Sequence, residues 1–136
     1  MKLIIQIPCF NEAKYLPITL QDLPKKIPGI DQIETVIIDD GSQDNTAEVA
    51  QKKGVDHIIR FRKHKGLAAA FSAGLEACLL HGADIIVNTD ADNQYRGADI
   101  PKLIDPILKG QADIVIGDRQ TQYIQHFSWI KKKLQK

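Results

Sequence analysis

The stretch Val36-Ile37-Ile38-Asp39-Asp40-Gly41-Ser42 decides how this chain is read. A continuous apolar run without polar alternation suits a strand buried on both faces, as in a parallel sheet covered by helices on each side. Asp, Gly and Ser then favour a turn through side-chain-to-backbone hydrogen bonds. Asn45 or Thr46 can cap a helix that reaches about Lys53. The expected unit is a strand over Glu34–Asp39, a turn and a helix.

Working outward, the same alternation recurs. Leu3–Ile7 reads as the first strand, which Pro8 is expected to end because proline has no N–H for a ladder. Leu16, Leu20 and Leu23 follow at helical spacing, with Pro17 placed in the first turn. His57–Phe61 reads as a third strand. Gly66–Leu80 is the next helix, with Leu67, Phe71, Leu75 and Leu79 along one face and small residues allowing close packing. Asp84–Asn88 is a fourth strand, Ile100–Lys109 a helix and Asp113–Gly117 a fifth strand. Strand and helix in alternation predict an α/β fold, a mainly parallel, Rossmann-like sheet in three α/β/α layers. Residues 1–119 are expected to form one domain, followed by a basic amphipathic tail over 120–136.

Composition narrows the function. The chain has 136 residues and a hydrophobic fraction of 43%, enough for one domain with its own core. Its formal charge of +1 argues against a general nucleic-acid binder. Cys9 and Cys78 stand alone, without metal-ligand spacing, and suit small buried hydrophobes in a reducing compartment. The four histidines show no metal spacing either. Apolar runs stay far below the ~18 residues of a membrane span, and a cytoplasmic location is expected. No GxGxxG follows the first strand and no P-loop motif occurs, which leaves dinucleotide and P-loop domains without support.

In open parallel sheets, ligands bind outside the carboxyl ends of the strands. The polar residues concentrate there: Asn11 and Glu12 after strand one, Asp39 and Asp40 after strand two, Asp90, Asp92, Asn93 and Gln94 after strand four, Asp118 and Arg119 after strand five. Asp90-Ala91-Asp92 can present oxygens to Mg²⁺ or Mn²⁺, which commonly uses one or two carboxylates plus substrate phosphates. A short acidic loop that is merely solvated is the alternative. Asp39-Asp40 fits the turn, hydrogen bonds to a base or ribose, or both, with one aspartate shaping the turn and one facing the ligand. Glu12 fits either the first turn of a helix or a ligand contact. Arg119 fits a diphosphate or an exposed domain edge. The basic run Arg62-Lys63-His64-Lys65 fits a solvated face or phosphate attraction.

The segments Ile7-Pro8-Cys9-Phe10-Asn11-Glu12, Val36 to Thr46 and Asn88-Thr89-Asp90-Ala91-Asp92, in this order and spacing, resemble family 2 glycosyltransferases. Gly66-Leu67-Ala68-Ala69-Ala70 and Ile116-Gly117-Asp118-Arg119 are similar to its later signatures. The likeness is greatest to the dolichyl- and polyprenyl-phosphate sugar transferases. It implies a GT-A fold and an inverting enzyme that moves a sugar from a UDP- or GDP-linked donor to an acceptor such as a polyprenyl phosphate. By the resemblance, Pro8, Phe10, Glu12, Ile38 and Asp40 line the base and ribose pocket. Asp90 and Ala91 meet the ribose and diphosphate, Asp92 and Gln94 hold Mg²⁺ or Mn²⁺, and Arg119 touches the diphosphate. Asp92 would serve catalysis through the metal, and no residue stands out as the general base. Phe10 replaces a tyrosine frequent in the family. Members usually continue into an acceptor-binding region, so the chain reads as truncated after its donor half. A nucleotide-diphosphate-binding fragment without turnover is the alternative reading.

The tail Gln120–Lys136 repeats Tyr123, Phe127, Ile130 and Leu134 at helical spacing beside Lys131, Lys132, Lys133 and Lys136. That pattern suits peripheral contact with an anionic membrane. Packing on the domain or on a second subunit is the alternative, and an apolar face left exposed favours a homo-oligomer.

Overall fold

The architecture comes from a computed structural model, which describes residues 1–118. Strand β1 spans Lys2–Cys9, helix α1 Leu16–Asp22, β2 Gln32–Asp39, α2 Thr46–Lys52, β3 His57–Arg60, α3 Leu67–Leu80 and β4 Ile85–Asn88. A 3₁₀ turn over Gly97–Asp99 leads into α4, Ile100–Leu108. Among the described residues the strands form one parallel sheet in the order β3-β2-β1-β4. The order reverses between β1 and β4, so the switch point of the sheet lies at their carboxyl ends.

Side-chain alternation sorts the core into two layers. Leu3, Ile5, Ile7 and Cys9 of β1 pack with Ile37, Ile85 and Val87 under α1, α2 and α4. Ile4, Val36 and Ile38 pack under α3 on the opposite face. The expected three layers are therefore present, and Val36, Ile37 and Ile38 are all fully buried, as a strand covered on both faces requires.

Three local expectations are corrected or made specific by the structure. Pro8 does not end β1, which runs on to Cys9 with Pro8 opposite Ile38. In a parallel strand, successive residues bond to alternate neighbours. Gln6 accepts the N–H of Thr89 on the β4 side, and Cys9 accepts that of Asp40 on the β2 side. Pro8 therefore faces β4, whose ladder already stops at the Gln6–Asn88 pair, and its missing N–H costs no bond.

The second, on α3, is borne out and made specific: the small residues do allow close packing. Leu67 and Leu79 lie outward, 70% and 67% exposed, and the buried face is Ala70, Gly74, Ala77 and Cys78. The helix sits too close to the sheet for large side chains. A Cβ at Gly74 would lie 2.0 Å from Gln6 Oε1 and 2.7 Å from Ile38 Cδ1.

The third is the fifth strand. Residues 113–117 join no ladder among the described residues, and Ile114 and Ile116 are 80% and 88% exposed. An apolar run becomes a strand only where a neighbour takes its backbone groups.

Candidate functional site

The loops after β1 and β2 lock together. Asn11, at φ 58°, donates its N–H to Ser42 Oγ (2.9 Å) and accepts the N–H of Gln43 on Oδ1 (2.8 Å). Glu12 N–H reaches Thr46 Oγ1 at 2.9 Å, and Ala13 N–H reaches Asp44 Oδ2 at 3.2 Å. Asp44 also accepts the N–H of Thr46 at 3.0 Å; Asn45 is the N-cap residue of α2, one of the two the sequence offered, but its side chain makes no capping hydrogen bond. Burial raises the Asp44 carboxyl, but the Thr46 hydroxyl and the N–H groups of Ala13 and Thr46 outweigh it and hold the group below its ordinary range.

The two adjacent aspartates divide the work. Asp39 is fully buried and accepts the Ser42 N–H on Oδ1 at 2.9 Å, which shapes the turn. Its Oδ2 lies 3.1 Å from Arg60 Nε without an aligned hydrogen bond, so that contact is Coulombic. Asp40, 3% exposed, accepts the N–H of Lys65 on Oδ1 (2.7 Å) and of Gly66 on Oδ2 (2.9 Å). His64 Nδ1 lies 2.9 Å from the same Oδ2, and the His64 ring stacks on Phe10 with centroids 4.1 Å apart. Gly41, at φ 72°, permits this approach, since a Cβ there would lie 2.6 Å from the backbone of Lys63 and His64. Pro8 is half-buried at the end of β1, and Ile38 is fully buried beneath α3.

At the switch point the loop after β4 is held from below. Thr19 Oγ1 donates to the carbonyl of Ala91 at 2.8 Å, and Asp22 Oδ2 accepts the N–H of Gly97 at 2.7 Å. Ala91 is 3% exposed, while Asp90 and Asp92 are half-buried. Asp92 Oδ1 accepts the N–H of Gln94 at 3.1 Å around Asn93, whose φ is 59°. Burial raises the Glu12 carboxyl, and the charges of Asp92, Asp44 and Asp90 push it further in the same direction. Those carboxylates therefore form one acidic cluster within reach of Glu12. Among the described residues, no group of three or more His, Cys, Asp or Glu side chains is arranged to hold a metal ion. The Asp90 and Asp92 carboxylates and the Gln94 amide are oxygen donors of the chemical type a hard divalent cation takes beside water and phosphate oxygens.

Arg119 and the tail Gln120–Lys136 lie outside the described residues. Two open clefts are lined by none of Glu12, Asp44, Asp90 and Asp92. One, of about 370 Å³, lies between α2 and β3, and one of about 390 Å³ is lined by Gly41, Ser42, Arg60, Phe61 and Arg62. Among the described residues no helix is long and apolar enough to cross a membrane. Sequence reasoning missed His64, which joins Phe10 to Asp40, and Thr19 and Thr46, which fix the loops. The available signal was an acid at one strand end and a basic run ending in a helix-starting glycine at the next.

The sequence profile of Glycosyl transferase family 2 matches residues 4–135. The chain is 30% identical over 133 residues to an undecaprenyl-phosphate mannosyltransferase of Micrococcus luteus, covering 95% of this chain and 53% of that protein. It is 33% identical over 141 residues to a dolichol-phosphate mannosyltransferase of Pyrococcus furiosus, covering 100% of this chain and 39% of that one. The chain thus spans about half the length, or less, of these curated relatives. Among solved structures, glucosyl-3-phosphoglycerate synthase of Mycobacterium tuberculosis, in complex with Mn²⁺, UDP and glucosyl-3-phosphoglycerate, superposes with a TM-score of 0.63 at 21% identity. That match covers 79% of this chain and 39% of the synthase, and it identifies the fold as GT-A.

Proposed function

The chain belongs to Glycosyl transferase family 2, and we propose that it forms the donor-binding half of an inverting glycosyltransferase that takes a UDP- or GDP-linked sugar with Mg²⁺ or Mn²⁺. The observation that carries this reading is the placement of Asp90 and Asp92 after β4 at the switch point of the sheet, with Glu12 within reach of their charge.

Phe10 offers the base an aromatic face, and Asp40 an acceptor for its N–H groups. Pro8 and Ile38 form the wall and floor of that pocket, and Glu12 closes its rim. Asp90 accepts a ribose hydroxyl, with Ala91 holding the loop flush beneath the diphosphate. Asp92 and Gln94 hold the cation, and Arg119 is assigned to the diphosphate by its place in the sequence. A divalent ion bound there neutralises charge on the departing nucleoside diphosphate.

The Micrococcus and Pyrococcus relatives, named for transfer to polyprenyl phosphates, support a lipid-phosphate acceptor at a membrane surface. Such a nucleophile is largely ionised near neutrality, its second pKa being about 6 by analogy with phosphoamino acids. It therefore asks little of a general base, and in-line attack on the sugar inverts the anomeric carbon.

Calorimetric titration with UDP and with GDP, with and without Mn²⁺, tests the donor site. Metal-dependent binding that disappears in Asp92→Ala is the expected result, and no binding under any condition refutes the reading. A transfer assay onto polyprenyl phosphate then separates a transferase from a nucleotide-binding module without turnover.

A further inference from the structure

His64 resembles a ligand held in the pocket of its own chain. Its ring is an aromatic nitrogen heterocycle, stacked on Phe10 with a centroid distance of 4.1 Å and a tilt of 33°. Its Nδ1 lies 2.9 Å from Asp40 Oδ2 and 3.4 Å from the Asp40 carbonyl. Those are the two groups assigned above to a nucleobase, one for its face and one for its N–H edge. We propose that the His64 imidazole is an intramolecular competitor of the donor base, a gate that must swing out before the nucleotide is seated. The inference rests on the donor-site reading.

The surroundings let the ring move while the chain stays put. The backbone of Lys63 and His64 lies so close to Gly41 that a Cβ there would clash at 2.6 Å. The following N–H groups, of Lys65 and Gly66, are tied to the Asp40 carboxylate. The His64 side chain itself is 53% exposed and Phe10 is 41% exposed, so a change of side-chain rotamer carries the ring into solvent. When it leaves, Asp40 keeps both backbone donors and regains an acceptor position for the base. A nucleotide therefore finds a pocket already shaped, at the cost of one displaced ring.

A closed gate weakens the apparent affinity by the fraction of time the pocket is open. Removing the ring is expected to tighten nucleotide binding about tenfold, the size of one aromatic contact. The test is to titrate the full chain and its His64→Ala variant with UDP and GDP in the presence of Mn²⁺. The His64 ring protons are followed by NMR in the unsubstituted protein. Tighter binding by His64→Ala, and loss of the Phe10 ring-current shift on the His64 signals at nucleotide saturation, are the expected results. Equal or weaker binding by the variant, or His64 signals that stay in place at saturation, overturns the gate and leaves the donor site standing. Absence of binding by both proteins overturns the gate together with the reading it rests on.

Discussion

Asp40→Asn isolates what the buried carboxylate does, because the change is nearly isosteric. In the structure the two oxygens take different donors, Lys65 N–H on Oδ1 and Gly66 N–H on Oδ2. An asparagine keeps one oxygen, so one of these N–H groups must face an amide NH₂, whichever way the side chain flips. One charge-assisted hydrogen bond is lost, and a donor is stranded at a site only 3% exposed. The His64 pair adds little, because the imidazole is half in solvent. A stranded buried donor costs about 1–3 kcal/mol, and the lost bond to a charged acceptor belongs at the upper end of that range. A loss of about 2–3 kcal/mol is expected, or a fall in Tm of roughly 10 °C for a chain of this size. Differential scanning fluorimetry at neutral pH reads it, with urea unfolding as a second measure. A variant that melts within 2 °C of the parent, on the order of 0.5 kcal/mol, refutes the claim that this carboxylate organises the start of α3.

Other expectations follow from the same geometry. Folded Glu12 holds its proton more tightly than the unfolded chain does, so its contribution favours the fold at acid pH and is lost as pH rises through its raised pKa. Glu12→Gln is therefore expected to raise Tm at pH 7 but not at pH 4, and Mn²⁺ to narrow the difference; an equal effect at both pH values counts against the acidic cluster around Glu12. Gly74→Ala places a Cβ 2.0 Å from Gln6 Oε1 and should destabilise by about 1–3 kcal/mol of overpacking, despite a gain of up to about 1 kcal/mol in helix propensity. Adding Gln6→Ala makes room and should recover part of that loss in urea unfolding, whereas simple additivity would argue against the contact. Cys9 and Cys78 are fully or nearly fully buried; burial pushes the Cys9 thiol far up and the Cys78 thiol up to about 11. Neither should react with a thiol reagent at pH 8 until urea is added, and rapid labelling of the folded protein would contradict their placement in the core.

Which parts of this molecule were legible in its sequence depends on how far apart the deciding groups lie. Strand β2 was readable because Val36-Ile37-Ile38 and the turn after it decide their own conformation locally. The layers followed from strand and helix alternating along the chain. Which face of α3 is buried was not readable from the stripe alone, because a helical stripe says only which residues share a side. Leu67, Phe71, Leu75 and Leu79 share one, but the fully buried Gln6 and Ile38 leave room only for Ala70, Gly74 and Ala77. Pro8 was misread for a similar reason, since whether its missing N–H matters depends on where β4 stops. The site divides along the same line. Asp90 and Asp92 announce themselves by position after a buried strand. That one of Asp39 and Asp40 shapes the turn was readable; which one was not, because adjacent strand-end residues point to opposite faces and their partners lie elsewhere: Ser42 and Arg60 for one, residues 64–66 for the other. His64 sits 24 residues from Asp40 and looks like one more member of a basic run. Only the fold, by drawing that run across Gly41, brings it against Phe10 and Asp40. Acids at strand ends are thus visible to sequence reasoning, whereas the contacts that tie them to residues far along the chain are the ones it misses.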